Sequence, residues 1–64
     1  MENQEMRALK ERLGIINYKI NYKTGVHLGV IENFFDLGND EIDVKDREKI
    51  EAMLVEELKR TRGK

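Results

Sequence analysis

Residues 17–36 read NYKINYKTGVHLGVIENFFD, two short helical patterns joined by a tight turn at Thr24-Gly25-Val26. Ile20 stands one turn before Thr24, Val26 follows the glycine, and Ile31 and Phe34 lie three apart, so these five residues are expected to converge on one core. Gly25 falls where the first helix must stop and the chain must turn sharply, a position that favours positive φ and hence a residue without Cβ. A helix over 17–24 and a second over 27–36 follow from this reading.

Upstream of that stretch, residues 3–13 favour a helix with Met6, Leu9 and Leu13 on one stripe and Arg7, Lys10, Glu11 and Arg12 turned outward. Gly14 ends it as a C-cap, and the β-branched pair Ile15-Ile16 bridges to Asn17, the N-cap or first residue of the next helix. In helix 17–24, Tyr18 and Tyr22 fall four apart on a face other than that of Ile20. Helix 27–36 buries Ile31, Phe34 and Phe35, which leaves His27, Leu28, Gly29, Glu32 and Asn33 on its outer faces.

Downstream, the turn formers of LGNDEID connect to a last helix over 43–60. A calcium loop begun at Asp36 would place Gly38 at a ligand position, Glu41 where the glycine is needed and Arg47 where the bidentate glutamate belongs, so the EF-hand spacing fails. Asp43 caps the helix with Asp46 in its first turn, while Lys59 and Arg60 meet its negative end. Val44, Ile50, Met53, Leu54 and Leu58 are the residues expected inside, and 61–64 form a frayed basic tail.

The order Asn17, Tyr18, Ile20, Thr24, Gly25, Val26, followed by Ile31 and Phe34, resembles the helix-turn-helix of the phage Cro and cI repressor family, whose short form reads NYxIAxxTGV. The resemblance runs from about Leu9 to Leu54 and implies an all-α, four-helix domain of the lambda-repressor-like type, spanning 1–64 as one unit, with 27–36 as the recognition helix. Two departures stand out. Asn21 replaces the small alanine at the helix crossing, and the recognition helix carries Glu32 and Asp36 but neither Lys nor Arg.

Sixty-four residues make one small domain with a core of modest size, so a partner subunit adds useful burial. With no cysteine, disulfides, thiolate metal sites and cysteine nucleophiles are excluded. One histidine, no serine and carboxylates clustered on a solvated helix leave no catalytic constellation, so neither an enzyme nor a metal or other cofactor is expected. No stretch approaches the roughly 20 apolar residues of a membrane span, and a soluble, cytoplasmic protein is the expectation. Net charge is −1, distributed as 0 over residues 1–16, +1 over 17–35, −6 over 36–57 and +4 over 58–64. A surface facing DNA is therefore expected to draw on the first half and the basic tail.

The resemblance implies a phage or prophage transcriptional regulator that binds a double-stranded operator as a homodimer. Asn33 is the best candidate for reading sequence, because its carboxamide can pair bidentately with adenine N6 and N7. Leu28 and Gly29 would offer thymine-methyl contact and close approach, and His27 a donor to a base edge or phosphate. Asn17 and Tyr18 at the start of the preceding helix, with Lys19, Lys23 and Asn39 at the flanks, would reach phosphates. A second reading keeps the fold for protein binding: an antirepressor or repressor modulator whose Leu28 and Val30 face a repressor protein. Glu32, which phosphates repel unless it accepts from cytosine N4, favours that alternative.

Overall fold

The computed structural model describes residues 1–62 and is all-α, with α1 (Asn3–Leu13), α2 (Asn17–Thr24), α3 (Leu28–Phe35) and α4 (Val44–Arg62). The first two helices coincide with the ranges expected from sequence. The third is one residue shorter at each end, because His27 serves as its N-cap and Asp36 as its C-cap. The fourth begins after Asp43, whose Oδ1 accepts the Lys45 N–H at 2.8 Å, and continues two residues beyond the expected end. Thr61 and Arg62 are thus helical rather than frayed, with Thr61 Oγ1 donating back to the Glu57 carbonyl at 3.0 Å. Gly63 and Lys64 of the expected tail lie outside the described residues.

Local chemistry fixes the other ends. The Glu2 N–H donates to Glu5 Oε1 at 2.9 Å and the Glu2 side chain accepts in return from the α1 backbone, a capping box built from two glutamates. Gly14 and Gly25 end α1 and α2 in the left-handed conformation, at φ 68° and 76°. The turn after α2 is further tied by Thr24, whose Oγ1 donates to the Ile20 carbonyl at 2.6 Å and accepts the Val26 N–H at 3.1 Å. Asn21, the departure from alanine, spans the same turn, its Nδ2 donating to the Val26 carbonyl at 2.7 Å.

Met6, Leu9, Ile15, Ile20, Val26, Ile31, Phe34, Ile50, Met53 and Leu54 form one buried cluster, with Leu13, Val30, Phe35, Ile42 and Leu58 packed half-buried around it. The apolar residues of the turn and of α3 therefore meet as expected, with Thr24 half-buried beside them. Val44 does not join them: it is 69% exposed. It precedes Ile50 by six residues, about 240° around an α-helix, which points it away from the core row. Ile16 is likewise exposed, at the cap position before α2, while Ile15 is buried.

α2 packs against both α3 and α4, and α1 packs against α4. The main polar tie between α1 and α3 is Arg7. Its Nε donates to the Phe34 carbonyl at 2.7 Å, its guanidinium lies 4.5 Å from the Phe34 ring centroid, and its Nη2 reaches Asp40 at 2.7 Å. No helix among the described residues is long and apolar enough to cross a membrane.

Candidate nucleic-acid interface

α3 has eight residues and an inward row of Ile31 and Phe34, so its opposite side is left uncovered. Glu32 and Asn33 are exposed there, with Leu28 and Gly29 half-buried at the N-terminal end. α3 rests chiefly on α2. At the same end, Leu28 and Glu32 share a shallow groove with Lys10, Ile16, Asn17 and Tyr18. Of the expected site residues, Leu28, Asn17 and Tyr18 thus share this groove, while Gly29 and Asn33 of α3 and its cap His27 lie outside the lining.

The polar groups among these residues have definite chemical states. His27 Nδ1 accepts the Gly29 N–H at 2.9 Å. An Nδ1 that accepts this bond carries no proton, which leaves Nε2 as the ring's donor. The cap also explains Gly29, since a Cβ there would lie 3.1 Å from His27 Nδ1. Asn33 is exposed, and its main-chain carbonyl accepts the Asn39 N–H at 2.9 Å. Asn39 Oδ1 accepts from the Glu41 N–H at 2.9 Å, which leaves Nδ2 as the donor Asn39 can offer. Asn17 Nδ2 donates to Asp36 at 3.1 Å and joins the start of α2 to the end of α3, while its Oδ1 is buried without a partner among the described residues. Tyr18 is 68% exposed beside them.

The two lysines expected at the flanks point elsewhere. Lys19 pairs with Glu57 of α4 at 2.8 Å, and Arg60 joins the same carboxylate at 3.0 Å. Lys19, and less strongly Arg60, hold Glu57 below the usual carboxylate range. Lys23 is exposed but lines a groove between α2 and α4 with Thr24, Lys49, Met53 and Glu57. Neither lysine lines the groove shared by Leu28 and Glu32, whose one cation is Lys10, with its Nζ 5.3 Å from the Phe35 ring centroid. Of the alternative pair, Leu28 lies in the groove, whereas Val30 packs half-buried against the core.

Arg7 was assigned outward from its charge, yet its side chain is only 14% exposed. The available signal was its spacing: Arg7 and Lys10 stand three apart on α1 and meet the adjacent Phe34 and Phe35, which contact each other edge-on at 4.9 Å. Compared with protein-family models, curated proteins and solved structures, the chain matches none.

Proposed function

We propose that the chain is a small DNA-binding transcriptional regulator, of phage or prophage type and related to the Cro and cI repressors, that presents α3 to the major groove of an operator. The observation that carries this reading is the uncovered outer row of α3, held at a fixed angle by the Gly25 turn and flanked by Tyr18 and His27. In it, Asn33 pairs with an adenine edge, Leu28 meets a thymine methyl, and Tyr18 with the His27 Nε2–H donates to phosphate or base acceptors. Glu32 accepts from a cytosine amino group, the base-edge donor a carboxylate commonly pairs with in a major groove. Asp36 is spent on Asn17. The protein acts in the cytoplasm as a homodimer on paired half-sites.

The test is selection of a preferred duplex from a random pool at low salt, followed by titration of variants. Asn33→Ala should lose about 1–3 kcal/mol on the selected site and relax preference at one base pair. Lys23→Ala, away from the groove, should leave that preference intact. A pool that yields no preferred sequence sinks the reading.

A specific feature favours a second reading. Ile16, Tyr18 and Leu28 form an apolar floor rimmed by Glu11 and Glu32, suited to a repressor protein rather than to phosphates. Leu28→Asp should then abolish capture of that repressor while leaving any weak DNA affinity unselective.

A further inference from the structure

α1 and the C-terminal half of α4 leave a shallow groove lined by Met1, Glu5, Ala8, Leu9, Arg12 and Leu58. Glu5, Ala8 and Arg12 share one face of α1, being three and seven residues apart, and all three are exposed. The alanine at the middle lets another backbone approach closely, and Leu9 and Leu58 supply an apolar floor. Arg12 enters no ion pair among the described residues. Glu5 Oε1 is used in the capping box, and its second oxygen can accept another donor.

The charge order along this face is its own complement. Glu5 and Arg12 lie equal numbers of residues from the midpoint of Ala8 and Leu9, so a two-fold axis through that midpoint sets Glu5 opposite Arg12 of a second copy and Arg12 opposite its Glu5. We propose that this face of α1, with Leu58, is the homodimer interface of the protein. A purely acidic or purely basic partner would match only one of the two charges, whereas an antiparallel copy matches both. The neighbouring outer face of α4 carries Glu48 and Glu56 against a single Lys59, with Glu51 already paired to Arg47 and the N-terminal ammonium, so it offers no matching charges to a copy of itself. Two copies joined through α1 cover Ala8 and the half-buried Leu58, which a 64-residue chain leaves open to water on its own. The inference stands whether or not α3 reads DNA.

Sedimentation of the full chain from low micromolar to near-millimolar concentration tests it. The wild-type chain should dimerise, while Ala8→Arg, Arg12→Glu and Glu5→Arg should each sediment as monomers. Melting of each variant at high dilution, where the interface contributes nothing, checks that its fold is intact. An equimolar mixture of the Arg12→Glu and Glu5→Arg chains should form a heterodimer, because both ion pairs are then restored in exchanged form. A wild-type monomer at the highest concentration, variants that dimerise as well as wild type, or a mixture that stays monomeric would each overturn the proposal.

Discussion

Asn21 shows how one side chain can brace a turn from within. Its carboxamide donates to the Val26 carbonyl, five residues on, at 2.7 Å. Asn21→Ala is expected to cost about 1 kcal/mol, the net worth of one such hydrogen bond, read as a lower denaturation midpoint with unchanged slope. Thr24→Val should cost more, about 1–3 kcal/mol, because it strands the Val26 N–H beside a 3% exposed side chain. Gly25→Ala isolates a third effect: a Cβ there meets nothing within 4 Å, so the loss of about 1–2 kcal/mol expected from chemical denaturation reflects φ 76° alone. Only part of this was legible beforehand. Gly25 announces itself through backbone sterics, which a sequence carries directly. The Asn21 bond depends on where a carbonyl five residues away turns, which no periodicity encodes.

At the scale of elements, α3 is short and depends on its neighbours for its place. Ile31, fully buried, packs in the core that α2 and α4 also line, and Ile31→Asp should unfold the domain by stranding a carboxylate there; retained helical circular dichroism with an unchanged melt would contradict this. Arg7 holds the other end of α3 by donating to the Phe34 carbonyl, where the helix dipole is negative. Arg7→Met keeps much of the apolar stem and removes that charged hydrogen bond, at an expected cost of about 1.5–3 kcal/mol, with faster amide exchange at Asp36 and Asn39 than elsewhere. The helices themselves could be read from caps and stripes: Gly14, Gly25 and Asp43 each mark an end through local bonding. Faces near the helix ends are less legible: Val44 is as apolar as Ile50, yet their angular separation forbids a shared face, and Arg7 lies against Phe34 despite a charge that points outward in sequence.

Across the whole molecule, ion pairs join segments that are distant in sequence. Asp40, held down chiefly by Arg7 and then Asn3, Glu51, held down chiefly by the N-terminal ammonium, and Glu57, held down chiefly by Lys19, all keep carboxyls below their ordinary values of 3.8 and 4.5. Since the folded values are the lower ones, these pairs stabilise the protein above the ordinary range and lose that effect as pH falls through the folded values. Melting temperature should therefore drop on acidification below the ordinary carboxylate range, and Glu57→Gln should lose stability at neutral pH but less on acidification. An equal acid response in Glu57→Gln would remove Glu57 from that account. The same pairing turns Lys19 toward α4, so recognition as proposed rests on α3 and its immediate neighbours rather than on a basic field. The most direct measurement is the amide chemical-shift map of the full chain titrated with a selected duplex at low salt. The account predicts perturbations concentrated at Tyr18 and from His27 to Asn33, with the α1 face from Glu5 to Arg12 unaffected; shifts confined to α4, or none at all, would contradict it.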